Sequence, residues 1–216
     1  LSSKSMEKFL IDRIEGKVSL NYTAKIDLHL ANKKGIKKNE NRLLNKLILN
    51  KKKHVVLFAA HAFSDATRGL GYNFLFRDYY AQVKETLDFI DRNYTSQVLW
   101  IIKKHPNDRY KEKNILENLV KKYNKGNFKF CPDSVGTDSL LKICDTVVTG
   151  RGTIGMEAAI KGKPVILAGP ASYSNLGITY DPKTKNEYFK LINKVRVLKS
   201  LSKNKIILAK KILYYL

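Results

Sequence analysis

The spacing of hydrophobic and polar positions changes near residue 53 of this 216-residue chain. From there, short apolar runs rich in branched side chains alternate with segments whose apolar residues recur every three or four positions. The first spacing is typical of buried parallel strands and the second of amphipathic helices. The predicted strands are 54–60, 97–103, 127–130, 145–149 and 164–168, and the predicted helices are 79–92, 111–123, 137–143, 153–161, 184–195 and 203–214.

This alternation of strands and helices with short connections predicts an α/β fold, namely a doubly wound, Rossmann-like parallel sheet. In such sheets a ligand binds beyond the carboxyl ends of the strands. The loops that follow the predicted strands are therefore where chemistry is expected.

The residues before 53 have a different pattern. A short amphipathic helix is predicted over 6–14 and a second over 41–49, with a polar, lysine-rich stretch between them. We therefore divide the chain into a helical lead-in or linker, 1–52, and a Rossmann-like domain, 53–216. Because the chain begins with Leu1 and not with Met, we expect it to be a fragment or a processed product.

Charge is the most unusual feature of the composition: 41 basic and 19 acidic residues give a formal net charge of +22. A field of this sign attracts polyanions such as nucleic acid, anionic lipid head groups or phosphorylated substrates. Many of the lysines are scattered among asparagines on predicted helix faces. Part of the excess of basic residues therefore reflects a generally lysine-rich composition and not a binding groove. The chain has no recognisable nucleic-acid-binding motif, so nucleic acid is the least favoured of these partners.

Other residue types exclude several classes of protein. The longest apolar runs are far shorter than the roughly 20 residues that cross a bilayer. Cys131 and Cys144 fall in predicted core segments, which favours buried thiols in a reducing cytoplasm. The four histidines, at 29, 54, 61 and 105, lack metal-ligand spacing, so no metal site is predicted.

A glycine-rich segment, 149–157, follows the fourth predicted strand and opens a helix. Glycines permit a sharp turn and close approach to a ligand, and Thr153 is expected to cap the helix. Backbone N–H groups at a helix amino terminus suit a phosphate, while Glu157 is placed to accept hydrogen bonds from ribose hydroxyls. A glycine-rich turn without a ligand is an equally simple interpretation. The segment matches neither a P-loop nor a dinucleotide fingerprint.

His105 and Pro106 directly follow the second predicted strand, after Lys103 and Lys104. A histidine held by a following proline at this position can donate a hydrogen bond to a phosphate, and the two lysines add positive charge. A role in stabilising the turn is the alternative.

Three further loops follow strands. In loop 61–69, His61 and Asp65 are placed to position a substrate or shuttle a proton, although Ser64 and Asp65 could simply close a turn. Pro132, after the third strand, is expected to form a backbone wall for a nucleobase. Tyr173, in the loop after the last strand, is expected to bind sugar hydroxyls, and a surface loop without a ligand is the alternative.

Taken in order, these motifs resemble the carboxyl-terminal, donor-binding half of GT-B glycosyltransferases of bacterial capsule polysaccharide synthesis, above all the Kdo-transferring enzymes. The resemblance covers about residues 53–195. It implies that His105 and Thr153 bind the phosphate of a nucleotide-sugar donor, with the Gly152 backbone beside them. It also implies a CMP- or CDP-linked donor sugar and no other cofactor. Arg151 stands where many relatives have hydroxyl residues, and it can supply charge in their place.

GT-B enzymes use a second α/β domain for the acceptor, and residues 1–50 are too few to form one. The resemblance therefore implies donor binding in this chain, with a glycan or glycolipid acceptor bound by a missing amino-terminal domain or a partner. Asp65 is the one local candidate for a catalytic base, and a helix amino terminus with His105 and Arg151 can stabilise the leaving phosphate without a metal. A cytoplasmic place, peripheral at the inner membrane, is expected.

Three other functions remain open on this evidence. One is a nucleotide-sugar epimerase-like enzyme on the same fold. The second is a non-catalytic nucleotide- or carbohydrate-binding module, and the third is a basic nucleic-acid binder.

Overall fold

The structure, a computed structural model, describes residues 8, 12, 42–48, 53–65, 74–105, 114–123 and 127–215. The strands in this part of the chain are β1 (His54–Ala59), β2 (Val98–Lys103), β3 (Phe128–Phe130), β4 (Thr146–Thr149) and β5 (Val165–Leu167). The helices that follow them in the same region are α1 (Tyr79–Arg92), α2 (Ile115–Val120), α3 (Thr137–Ile143), α4 (Ile154–Ile160), α5 (Lys185–Asn193) and α6 (Lys203–Tyr215). A 3-10 turn, Val195–Val197, separates α5 from α6.

All five strands are parallel, and they lie in the order β3-β2-β1-β4-β5. The chain first builds the sheet from β1 toward β3 and then returns to add β4 on the other side of β1. This return makes the carboxyl ends of β1 and β4 the topological switch point, where open α/β sheets bind ligands. The predicted doubly wound, Rossmann-like sheet is confirmed.

Both faces of the sheet are covered, which is why the strands read as nearly continuous apolar runs. Along β1, Leu57 faces one hydrophobic cluster and Phe58 faces the other, and both are fully buried. Side chains alternate between the faces of a strand, so β1, β2, β4 and β5 each contribute to both clusters. The edge strand β3 adds Phe128 and Phe130 to one of them.

Nearly all predicted boundaries lie within two residues of the observed ones, and a side-chain cap explains the difference at the start of α5. Thr184 was expected to be helical, but its hydroxyl accepts a hydrogen bond from the Glu187 N–H at 3.2 Å, so α5 begins one residue later. Asp78 caps α1 in the same way by accepting from Ala81 N–H at 2.6 Å. The predicted helix 111–123 is observed as Ile115–Val120, and its first residues lie outside the described part.

The described part of the lead-in packs on the main core. Residues 42–47 are helical, and Leu44 and Leu47 join the cluster on one face of the sheet, each 8% exposed. In the predicted helix 6–14, residues 8 and 12 are helical, whereas the polar stretch that follows lies outside the described residues. The domain boundary at 53 stays a prediction.

Both cysteines are buried and free, and burial raises the pKa of the Cys144 thiol to about 12. A thiol with so high a pKa is a poor nucleophile, so Cys144 acts as a small core residue.

None of the described helices is long and apolar enough to span a bilayer.

Leu47→Ala tests whether the lead-in helix contributes to the stability of the sheet domain. Removing a buried leucine leaves a cavity, so we expect the free energy of unfolding to fall by roughly 2–5 kcal/mol. The exposed neighbour Lys46 provides the control, since Lys46→Ala should change it by less than about 0.5 kcal/mol. Urea denaturation measures both, and equal stability of the two variants would show that the helix does not dock.

Candidate functional site

The carboxyl ends of the three central strands lie at the same level. Ala59, the last residue of β1, pairs with Lys103 at the end of β2 and with Thr149 at the end of β4. The register continues past the strand, because Ala60 N–H donates to the Lys103 carbonyl at 2.9 Å. Residues at equal distances beyond these ends therefore lie beside one another, at the inter-strand spacing of about 4.8 Å.

Each of these three strands is followed, two residues beyond its end, by a residue of interest. These are His61 after β1, His105 after β2 and Arg151 after β4. We call this set the switch-point row. The imidazoles of His61 and His105 stack with ring centroids 5.2 Å apart and planes 13° from parallel. Arg151 lies near enough to His61 for its charge to act on that imidazole. The structure thus brings together two predicted phosphate ligands with a histidine between them.

His61 is held in its neutral form. Its side chain is only 15% exposed, and burial together with the positive potentials of His105 and Arg151 lowers its pKa to about 4. Asp65 opposes this effect, because one carboxylate oxygen lies 2.8 Å from His61 Nδ1. His61 Nδ1 forms no hydrogen bond of regular geometry with the described residues. A proton on Nδ1, facing Asp65, leaves the Nε2 lone pair as an acceptor. The structure therefore joins Asp65, the predicted base, to His61 as a pair.

Tyr79, the first residue of α1, packs against the His61 ring from the protein interior. The two rings stack with centroids 4.2 Å apart and planes 11° from parallel, and Tyr79 is fully buried. Burial raises the pKa of the Tyr79 hydroxyl, while the Arg151 guanidinium acts in the opposite direction. Sequence reasoning missed Tyr79, which was predicted only as the first residue of a helix.

Two glycines of segment 149–157 lie against tyrosine side chains. Their backbone does not lie in the left-handed region: positive φ among the described glycines occurs at Gly162 and Gly177. A Cβ at Gly150 would lie 2.9 Å from the Tyr79 ring, and one at Gly155 would lie 2.3 Å from the Tyr173 hydroxyl. These two glycines make room for tyrosines of the protein itself, and close approach of a ligand to the loop stays a prediction.

Tyr173 holds the glycine loop from inside the protein. Its side chain is 2% exposed, and its hydroxyl donates a hydrogen bond to the Gly152 carbonyl. Burial raises the pKa of this hydroxyl far above its usual value. This hydrogen bond positions the loop that carries Arg151. The expected contact of Tyr173 with sugar hydroxyls stays a prediction.

Thr153 does not cap α4, contrary to expectation. Its own backbone is already helical, with φ −58° and ψ −23°, and its side chain makes no capping hydrogen bond. The residue is exposed, and Gly152 and Glu157 beside it are half-buried. These three residues lie on the loop and first turn beside the switch-point row, and their assignment as ligands stays a prediction.

The two lysines before His105 hold the neighbouring loop. Lys103 Nζ donates to the carbonyls of Pro132 at 3.0 Å and Val135 at 2.9 Å, and lies 3.4 Å from that of Asp133. Lys104 Nζ lies 2.7 Å from a carboxylate oxygen of Asp133. Their expected role as extra charge for a phosphate therefore gives way to a structural one: they fix the Pro132 loop beside the second strand. Pro106 lies outside the described residues.

A family model described as "Capsule polysaccharide biosynthesis protein" matches residues 12–212 of the chain. No curated protein sequence matches it.

Several solved structures resemble the chain at low identity. The β-Kdo 2,4 transferase KpsC of Thermosulfurimonas dismutans is 19% identical over 82% of this chain and 56% of its own, with a TM-score of 0.45. The wall teichoic acid polymerase TagF is 13% identical over 83% of this chain and 46% of its own, with a TM-score of 0.49. HepE of Anabaena, in complex with UDP and glucose, is 15% identical over 82% of this chain and 49% of its own, with a TM-score of 0.49. The chain thus spans about half the length of these structures.

Lys103→Met tests the support of the Pro132 loop. Because this change removes the donor to three carbonyls, we expect the free energy of unfolding to fall by roughly 1–3 kcal/mol. Lys104→Met is the matched control, since it removes a partly exposed ion pair worth at most about 1 kcal/mol. Chemical denaturation compares the two, and equal losses would contradict a special role for Lys103.

His61→Gln tests the burial of the neutral imidazole. The unfolded chain takes up this proton near pH 6.5, whereas folded His61 stays neutral down to about 4. The wild type should therefore lose roughly 3 kcal/mol of stability as the pH falls from 6.5 to 4, and the variant should lack that contribution. Unfolding free energies measured across this range decide the point. Parallel pH profiles of the two proteins would show that His61 titrates normally.

Proposed function

The chain belongs to the capsule polysaccharide biosynthesis protein family, and from this premise we propose that its switch-point row binds the phosphate of a nucleotide-sugar donor in glycosyl transfer. One observation carries the proposal: His105, His61 and Arg151 extend side by side from three neighbouring strands at the switch point of the sheet. Such a row suits a bound anion, because the His105 imidazole and the Arg151 guanidinium can each donate an N–H to it.

In this proposal, His105 and Arg151 contact the phosphate on either side of His61. The backbone of Gly152 and the hydroxyl of Thr153 complete its coordination from the α4 side. As the sugar departs, negative charge builds on the leaving phosphate, and donors already in place stabilise that charge at little reorganisation cost. Glu157 would bind ribose, and the Pro132 backbone would lie against the nucleobase.

The His61–Asp65 pair is proposed as the base. The acceptor hydroxyl oxygen attacks the anomeric carbon of the donor, the bond from that carbon to the phosphate oxygen breaks, and the hydroxyl proton passes to His61 Nε2. Asp65 holds Nδ1 and stabilises the imidazolium that forms. Neutral His61 has a lone pair for this proton, and an anionic phosphate bound beside it would raise its low pKa toward neutrality.

The donor we propose carries a cytidine nucleotide, CMP or CDP, and the transfer requires no metal. The acceptor is a glycan or glycolipid, bound by another domain or a partner protein. We place the reaction at the cytoplasmic face of the inner membrane.

Titration with CMP, CDP and UDP tests the donor site. We expect the cytidine nucleotides to bind, and His105→Ala and Arg151→Ala each to weaken binding roughly 10–100-fold, because each removes a charge-assisted contact. Arg92→Ala removes an arginine from the far end of α1 and serves as the control, with unchanged affinity. Isothermal calorimetry measures each dissociation constant.

The other outcomes separate the alternatives. Failure of every nucleotide to bind would refute the proposed site, and a preference for UDP would refute the cytidine base alone. Salt-sensitive binding of arbitrary oligonucleotides, unchanged in His105→Ala, would favour a nucleic-acid binder. If the donor site binds and hydrolysis or transfer persists in Asp65→Asn and His61→Gln, the proposed base is wrong.

A further inference from the structure

The outward face of α6 carries two large apolar side chains. Ile207 is 48% exposed and Leu208 is 41% exposed. The opposite side of the helix is the one that packs, since Ala209 and Leu213 are buried in the core cluster. A helix normally turns its apolar side chains toward the core, whereas α6 has a second apolar surface that stays exposed among the described residues.

Lysines flank this apolar pair. Lys203 and Lys211 lie four residues before and after Ile207, and helical spacing places them on the same face. Both are exposed. We call Lys203, Ile207, Leu208 and Lys211 the α6 outer face.

The charge around α6 differs in kind from that on the other helices. On α1 and α3, exposed lysines pair with a carboxylate four residues away, as in Lys84–Asp88 at 2.7 Å and Lys142–Asp138 at 2.6 Å. Residues 188–216 contain eight Lys or Arg and no Asp or Glu. The lysines of α6 therefore have no carboxylate partner within their helix, and this end of the chain carries a concentrated positive charge.

We propose that the α6 outer face docks on an anionic lipid surface. Ile207 and Leu208 enter the boundary between head groups and acyl chains, and Lys203 and Lys211 contact lipid phosphates. Apolar anchors between basic residues are the pattern of helices that lie in the plane of a membrane surface. Anionic lipids attract each nearby lysine, so the two interactions reinforce each other.

The positive charge also argues against a second copy as the occupant of this face. Two identical faces brought together would place four lysines at one contact, and like charges disfavour such an interface. An anionic surface instead neutralises them.

The position of α6 connects this surface to the proposed site. The helix packs against α4, which begins directly after the glycine loop. The segment that precedes α6 is fixed near the end of α4, because the Leu201 N–H donates to the Gly162 carbonyl at 2.9 Å. A membrane-bound α6 would therefore keep the site close to a lipid-linked acceptor. This inference extends the proposed membrane placement, but it does not depend on nucleotide binding.

Vesicle flotation tests the proposal. The wild-type chain should float with vesicles that contain phosphatidylglycerol and bind much less to phosphatidylcholine alone. The double variants Ile207→Ser/Leu208→Ser and Lys203→Glu/Lys211→Glu should each weaken binding at least about tenfold. Matched controls alter other exposed residues: Ile115→Ser for the apolar pair and Lys122→Glu/Lys129→Glu for the charge.

The controls should bind like the wild type, and the outer-face variants should keep its unfolding curve and nucleotide affinity. Failure of the wild type to float on anionic vesicles overturns the proposal, as does normal flotation of either outer-face variant.

Sedimentation that shows self-association abolished by Ile207→Ser/Leu208→Ser would assign the face to a second copy. Binding of oligonucleotides that competes with vesicles and is lost with Lys203→Glu/Lys211→Glu, but not with Ile207→Ser/Leu208→Ser, would assign it to nucleic acid. Failure of nucleotide binding with intact flotation would refute the donor site alone.

Discussion

The parallel pairing of β1 with both β2 and β4 is the constraint from which the candidate site follows. Because Ala59 is in register with Lys103 and with Thr149, the chain leaves three neighbouring strands at one level. Residues that are 44 and 90 positions apart along the sequence then become neighbours at the spacing of the sheet. Without this register, the histidines and the arginine would be separate loop residues with no common ligand.

The site is rigid because polar side chains around it are used to hold its loops. The Lys103 ammonium binds carbonyls of the Pro132 loop, and the Tyr173 hydroxyl binds the carbonyl of Gly152. Tyr79 provides a buried surface on which the His61 ring stacks. Groups that bind an anion are effective only when they are already in position, so these supporting residues matter as much as the proposed ligands.

The local sequence accounts well for the elements themselves. Helix 79–92 and helix 137–143 were predicted to the residue, since their apolar spacing is regular and their ends carry clear signals. The boundary of α5 was missed because a threonine side chain, and not the apolar pattern, decides where that helix begins. The glycines after β4 indicated a tight loop, but a one-dimensional pattern cannot distinguish room for a ligand from room for a tyrosine.

The sequence by itself determined the class of the fold, the order of its elements and the loops that reach the carboxyl edge of the sheet, because these depend on periodicity and on residues close together in the chain. It also singled out His105, Arg151 and Asp65. Only the tertiary structure decided that His61, which precedes Asp65 in the same loop, lies between the first two. That arrangement depends on strand order and register, which arise from packing between distant segments and leave no local mark in the sequence.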